Sequence, residues 1–390
     1  MSKVAVITAK RSPVGKIPGE LNYISEIELL SEVFKGVTLG LEEIVIDEAI
    51  TGSSFPLEKD NLCRKALLKA GLSTRIPAST VSKTCASSDE ALNIAYHKIK
   101  CQAAKIILVG GCEKVSNSSY ILHYMKKNVK HAVKNLLPEF DQIKDNIEEN
   151  DMVFINEMLS KKYNITKDMQ DKYTIDSIEK AVFAQQHGYY EEEIIPIAYN
   201  KGGECYYLEK DELLLSKRSV EDIRSAPPMF LQKGTLTQYN AAPICDCSVG
   251  ILLMDYEEAI RLGLNPLIII KDVLSTGVGE EQTGEAMTQG ILKLLQKNKL
   301  MPSEIDLYEI NESFAVQAIL TARMLNLDMN KVNVNGGNLA LGYPIGTTGL
   351  RMNVTLIHEM IRRNSRLGIS AMCAGGNMAD IIVYENVMEV

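Results

Sequence analysis

STVSKTCASSDEAL, residues 79–92, passes from β-branched residues into a cysteine, two serines and an acidic pair, and then into an apolar helical pattern. Leu92, Ala95, Tyr96 and Ile99 fall at i, i+3, i+4 and i+7, one face of a helix. The stretch therefore predicts a strand, a tight turn and a helix, with Cys85 at the helix start. A second stretch of the same kind lies far downstream: VNVNGGNLALGYPIGTTGL, residues 332–350, a β-branched run, a glycine-rich turn and a helix. Each has a related segment before it, IVIDEAITGSS (44–54) in the first case and IDLYEINESFA (305–315) in the second. Each is followed by a strand ending in cysteine and glycines, IILVGGCE (106–113) and ISAMCAGGNM (369–378). Such an ordered repeat reads as a duplicated βαβ unit packed pseudo-symmetrically.

Working outward, short β-branched runs bounded by Gly, Pro or Asn predict strands at 4–7, 44–50, 80–82, 106–109, 251–254, 268–274, 307–310, 331–334, 368–373 and 381–384. Helical patterns lie between them, for example Ile291, Leu294 and Leu295. The alternation predicts an α/β protein with mostly buried sheets. Residues 117–238 do not fit the repeat. They are charged and helical, with two amphipathic helices over 158–190 broken near Asn164. We read them as an insertion. The first half then comprises 1–116 with 239–265, and the second half 266–390. Lys126, Lys127, Lys130 and Lys134 in the insertion read as a solvated face, or as a phosphate or oligomer contact.

The chain has 390 residues, a formal net charge of -8, 46% hydrophobic and 24% charged residues, an ordinary composition for a water-soluble globular protein. Its acidity argues against a nucleic-acid partner, which needs a basic face. No secretory signal and no apolar run of membrane-spanning length is expected, which points to the cytoplasm. The 8 cysteines are scattered and form no C-x-x-C; Cys245 and Cys247 lack a second pair at zinc spacing, so neither disulfides nor a metal site is expected.

Two cysteines invite chemistry. Cys85, at a helix N-terminus, meets the N–H groups and dipole that lower a thiol's pKa, although a cysteine there can equally be a small buried hydrophobe. Cys373 ends a strand and precedes Ala374, Gly375, Gly376 and Asn377; N–H groups in such a turn can cradle an oxyanion. Gly336, Gly337, Gly342, Gly346 and Gly349 form a second glycine-rich turn that fits no phosphate loop.

With the segments AKRSPVGK (9–16), VSKTCASSDEAL (81–92), GGCEKVS (110–116), ITKDMQDKY (165–173), GTLTQYNAAPICDCS (234–248), EINESFA (309–315), NVNGGNLALGYPIGTTG (333–349) and CAGGNM (373–378) in this order, the chain resembles the thiolases, acyl-CoA C-acyltransferases, nearly end to end. The resemblance implies two similar halves with mixed β-sheets in a layered αβαβα arrangement plus an inserted helical loop domain. It implies that Cys85 attacks an acyl thioester and holds the acyl group covalently. Cys373 would move the α-proton of a second acyl-CoA in a Claisen condensation or its reverse. The backbone N–H groups of Cys85 and Gly375 would hold the acyl oxygen, and Asn311 a water at the second thioester. Met152, Lys217, Arg218, Tyr239, Ala242, Ser313 and Phe314 fall at the substrate and CoA contacts. CoA enters as a substrate moiety with no further cofactor, and a homodimer or homotetramer is implied.

The chain departs from that pattern. The family's G-H-P turn reads Gly342-Tyr343-Pro344, and a phenol with a reference pKa near ~10 is a poor base at neutral pH. None of the 5 histidines stands in an equivalent motif. Tyr239 replaces a glycine, Ala242 a serine, Leu215 an arginine and Val153 a glycine. These changes leave open a thioesterase, a specialised condensing enzyme, an acyl carrier other than CoA, or a non-catalytic protein of the same architecture.

Overall fold

The computed structural model describes residues 2–56, 60–117, 120–121, 137–138, 152–216, 218–229 and 231–387. In chain order the strands are β1 (Val4–Arg11), β2 (Glu48–Gly52), β3 (Ala78–Val81), β4 (Ile106–Glu113), the two-residue β5 (Tyr120–Ile121) and β6 (Leu137–Pro138), β7 (Ile197–Lys201), β8 (Glu204–Leu208), β9 (Cys247–Asp255), β10 (Ile268–Gly277), β11 (Leu307–Ile310), β12 (Leu367–Ala374) and β13 (Met378–Glu385). The helices are α1 (Glu26–Thr38), α2 (Leu62–Lys69), α3 (Ser87–Lys100), α4 (Met152–Lys162), α5 (Lys167–Gln186), α6 (Val220–Ser225), α7 (Tyr256–Arg261), α8 (Ala286–Lys297), α9 (Ala315–Met324), α10 (Asn338–Leu341) and α11 (Thr348–Arg363).

The sheet order is β11-β12-β13-β10-β1-β9-β4-β2-β3. Its two wings repeat one another. In the first, β2 runs parallel to β4, which pairs antiparallel with β9, and β9 with β1. In the second, β11 runs parallel to β12, which pairs antiparallel with β13, and β13 with β10. The wings meet where β1 and β10 pair antiparallel through Val4–Ile270, Ala5–Ile269 and Val6–Ile268. The duplicated βαβ unit read from the sequence is this repeated wing.

Burial explains the layering. Strands β1, β4 and β9 are buried on both faces, so they read as continuous apolar runs. Between the wings lie α3 and α11: Leu92, Ala95 and Ile99 of α3 pack with Leu350, Val354 and Ile357 of α11, against Val109, Val249 and Ile382. On the outer face of the first wing, Leu29, Val33 and Phe34 of α1 and Leu62, Ala66 and Leu67 of α2 form a second core. On the outer face of the second, Ile291, Leu294 and Leu295 of α8 and Val316, Ile319 and Leu320 of α9 form a third. The succession is helix, sheet, helix, sheet, helix.

Two strand assignments need correction. Residues 44–47 are not strand; the Asp47 carboxylate instead accepts the N–H groups of Lys105 (2.7 Å) and Ile106 (2.9 Å), capping the start of β4. Residues 331–334 pair only as a bridge between Tyr308 and Val332. Asn333 there has φ +42°, and its side chain bonds both N–H and C=O of Ile310 (2.7 and 2.9 Å), taking the place of a ladder. The break near Asn164 is found: α4 ends at Lys162, α5 starts at Lys167, and Asn164 has φ +51°. Lys126, Lys127, Lys130, Lys134 and Lys217 lie outside the described residues.

Candidate active site

The two wings bring their equivalent turns together. Cys85 sits just before α3, whose N-cap, Ala86, makes no side-chain capping bond. The preceding residue, Thr84, has φ +48°, a conformation disfavoured for a β-branched residue. Three hydrogen bonds hold it there. Ser54 Oγ and Ser87 Oγ both donate to the Thr84 carbonyl, and the Thr84 hydroxyl accepts the N–H of Gly375 at 3.1 Å. Gly52, ending β2, packs against this turn so closely that a Cβ would lie 2.2 Å from Ser87 backbone atoms. Lys83 fastens the same loop to the other wing: its Nζ meets Asp380 (2.6 Å), Ser275 (2.5 Å) and Glu90 (2.7 Å).

Cys373 comes from the far wing, at the end of β12. Its Sγ accepts a hydrogen bond from Asn311 Nδ2 at 3.0 Å and faces Gln317 Oε1 at 3.5 Å. Asn311 Nδ2 also donates to Ser313 Oγ at 2.7 Å, and Asn311 Oδ1 accepts from Asn338 Nδ2 at 2.6 Å. Tyr343 follows Gly342, whose φ of +108° and whose Cβ position, 2.3 Å from Cys245 Sγ, admit only glycine. Backbone bonds to Pro243 and Cys245 seat the tyrosine turn. The phenol packs beside Cys85 and lies near Ser313, and its O–H acts to lower the thiol's pKa. One tyrosine therefore touches the first cysteine, and one serine joins it to the group beside the second.

The electrostatics qualify the sequence reading. A helix start was expected to lower the Cys85 pKa, but the net direction is upward. Burial beside Ala86, Met352, Met372 and Ala374 outweighs the phenol of Tyr343 and the N–H groups of Cys85 and Gly375, which act downward. Burial likewise pushes Cys373 to about 12, against hydrogen bonds from Asn311 and Ser313. Tyr343 rises well above its ordinary value through burial and the neighbouring sulfurs, so it remains a phenol. Cys85 is nevertheless not sealed: it and Gly375 are partly exposed, and Gly376 is exposed. Beneath them Glu113, fully buried, is pushed up to about 7 by desolvation although Ser54, Phe55 and Gly346 donate their N–H groups to it.

Cys85, Cys373, Tyr343, Asn311 and Gly375 thus converge, but the Gly375 N–H is shared with the Thr84 hydroxyl. Ser313, expected at the substrate contacts, lies in the same cluster, its Oγ accepting from Asn311 Nδ2 at 2.7 Å. Ala242 N–H bonds the Ser313 carbonyl (2.9 Å), and Phe314 bridges to Ala241. Tyr239 is half-buried in the same segment, its N–H on Thr237 Oγ1. Arg218 forks its guanidinium to the carbonyls of Leu339 and Ala340, both 2.7 Å, pinning α10. Met152 opens α4 and its carbonyl accepts from Asn156. Among the histidines, His358 is spent on the Ala9 carbonyl (2.8 Å). The sequence reading missed Thr84, Gln317 and Asn338. The Gly336-Gly337-Asn338 run held the signal for the last, a polar residue opening a buried helix.

Comparison with known proteins agrees with this geometry. Residues 4–257 match the family model described as thiolase, N-terminal domain, and residues 264–386 the one described as thiolase, C-terminal domain. An acetyl-CoA acetyltransferase of Cupriavidus necator is 32% identical, the match covering 99% of this chain and 100% of that protein. One from Pseudomonas aeruginosa is 34% identical over 96% and 97%. The crystal structure of the Bacillus anthracis acetyl-CoA acetyltransferase superposes with a TM-score of 0.94 at 31% identity, covering 99% of both chains. That of human mitochondrial 3-ketoacyl-CoA thiolase superposes at 0.92 and 26%, again over 99% of each.

Proposed function

The chain belongs to the thiolase family and is an acyl-CoA C-acyltransferase; we propose that its two cysteines divide the reaction and that Tyr343 replaces a base with a proton-relaying phenol. The observation that carries this is the meeting of Cys85 and Cys373, from opposite wings, around Tyr343, Ser313 and Asn311. In the first half-reaction Cys85 Sγ attacks the thioester carbonyl. The Sγ–C bond forms, the bond from carbon to CoA sulfur breaks, and the leaving thiolate takes a proton. Tyr343 supplies it while its oxygen receives the proton of Cys85, so the phenol ends unchanged and never carries a net charge. That concerted passage suits a group held far above its usual pKa.

In the second half-reaction, Cys373 as thiolate removes an α-proton from a second acyl-CoA. The carbanion attacks the acyl carbon on Cys85, a C–C bond forms, and Cys85 leaves as thiolate to be reprotonated. Thiolysis of a 3-ketoacyl-CoA is the same sequence reversed. The turn at Gly375 faces the acyl oxygen that gains charge, while Asn311 directs its N–H groups at Cys373 and Ser313. CoA enters as part of the substrate and no further cofactor takes part. The protein works in the cytoplasm as a homodimer or homotetramer. Among the described residues no helix is long and apolar enough to cross a membrane.

The test is incubation with acyl-CoA thioesters of graded chain length, followed by intact-protein mass spectrometry and analysis of products. We expect a gain of one acyl group, absent in Cys85→Ala, and a 3-ketoacyl-CoA product. Release of free CoA and acid without any C–C product would replace this function by hydrolysis.

A further inference from the structure

Arg351 lies on α11 with no exposed surface, and among the described residues its guanidinium makes one hydrogen bond, from Nη2 to Asn338 Oδ1 at 2.6 Å. A guanidinium carries donors only. The amide oxygen of Asn338 must therefore face it, which turns the Asn338 nitrogen toward Asn311. That nitrogen meets Asn311 Oδ1 at 2.6 Å, so the Asn311 amide is oriented in turn. Its nitrogen is left pointing at Cys373 Sγ and Ser313 Oγ. An isolated amide could sit either way round, since its oxygen and nitrogen have nearly the same shape. Here the ambiguity is removed by a buried cation two amides away.

We propose that Arg351 and Asn338 are positioning residues for the second half-reaction, a relay that locks Asn311 so that it turns an N–H, and not a carbonyl oxygen, onto Cys373. This rests on the assignment of Cys373 as the group that takes the α-proton. The polarity matters because a thiolate only accepts hydrogen bonds. Gln317 Oε1, on the other side of Cys373, accepts from the thiol and favours the protonated form. Asn311 and Ser313 act the other way. With the relay intact, one amide nitrogen opposes one amide oxygen across the sulfur. With Asn311 reversed, two carbonyl oxygens would face it, and the thiolate would lose its main support. Nothing in the relay touches Cys85; its one link toward that sulfur is the Asn311–Ser313 bond, so acylation should be largely retained when the relay is reversed. Arg351 also lies near Glu309, whose carboxyl it draws down against burial. Removing the charge could unfold the chain, so the decisive change is made at Asn338.

Asn338→Asp keeps the acceptor for Arg351 but has no N–H to offer, and so compels Asn311 to turn its nitrogen inward and its oxygen onto Cys373. Arg351→Lys keeps a donor-only cation and should preserve the polarity. In a Cys85→Ala background, the pH dependence of Cys373 carboxamidomethylation by iodoacetamide is read by peptide mass spectrometry. At any pH below the midpoint we expect the rate to fall about tenfold or more in Asn338→Asp, the mark of a midpoint raised by a unit or more, and to stay near that of the parent in Arg351→Lys. With Cys85 present, exchange of the α-hydrogens of acetyl-CoA in D2O should fall roughly tenfold or more in Asn338→Asp, while the rate of Cys85 acylation is retained. An unmoved midpoint, or acylation lost in step with exchange, overturns the relay. A midpoint that moves as expected in a protein showing no α-exchange even with Asn338 intact leaves the relay standing and removes the assignment of Cys373.

Discussion

Tyr343→Phe deletes one oxygen from the centre of the site and leaves the ring in place. The phenol faces Cys85, and a hydrogen bond from it to the thiolate acts to lower the Cys85 pKa. A hydrogen bond to a charged group contributes about 1.5–3 kcal/mol. Its loss should therefore raise the pKa of Cys85 by roughly one to two units, since one unit corresponds to about 1.36 kcal/mol. Folding should suffer little, because Ser313 Oγ keeps its bond from Asn311. The assay is the rate of Cys85 alkylation by iodoacetamide from pH 6 to 10, read by peptide mass spectrometry. At a pH below both midpoints the rate should drop about 10- to 100-fold. Acyl transfer should fall at least as far, since the proton relay is lost with the oxygen. The sign is the critical feature: a midpoint that stays put or moves down would refute the claim that this tyrosine supports the thiolate.

Replacing Tyr343 by His should do the opposite for turnover, because an imidazole with a reference pKa of about 6.5 accepts a proton at neutral pH; the acylation rate at pH 7 should rise, as measured by rapid-quench mass spectrometry. Gly52→Ala places a methyl against backbone at the start of α3, which cannot yield like a flexible side chain; we expect a destabilisation of about 1–3 kcal/mol by urea unfolding, with loss of Cys85 acylation in the folded fraction. Glu113, with its folded pKa raised from 4.5 to about 7, binds its proton more tightly when folded; the stability this adds is full below pH 4.5 and is lost as pH rises toward 7, in total about 3 kcal/mol, so the urea stability of Glu113→Gln should vary less between pH 5 and 7.5 than that of the parent. Arg11→Met strands the buried carboxylates of Glu193 and Asp211, each 2.7 Å from the guanidinium, and should cost about 3–5 kcal/mol in the same assay.

What was legible in the sequence was local or repeated. The βαβ duplication showed because each wing uses the same succession of β-branched strand, glycine-rich turn and apolar-faced helix. Cys85 and Cys373 showed because each stands where a strand gives way to such a turn. The wrong strand limits at 44–47 and 331–334 have a common cause: Asp47 and Asn333 spend their side chains on backbone groups of another strand, which composition does not reveal. The partners of the cysteines were hidden for a related reason. Asn338 reaches Cys373 only through the amide of Asn311, and Arg351 only through both amides in succession. Thr84 and Gly375 meet across 291 positions of chain. The direction of the Cys85 shift was misjudged because position at a helix start is visible in a sequence, whereas the three apolar neighbours from α11 and β12 that pack around the sulfur are not.

The division of labour between the two sulfurs is tested most directly by giving Cys373→Ala acetyl-CoA and following both the intact mass and the products. The account predicts a single acetyl group, mapped to the peptide containing Cys85, that accumulates while no acetoacetyl-CoA forms. Acetoacetyl-CoA made at the parent rate, or an acetyl group found on any other residue, would contradict it.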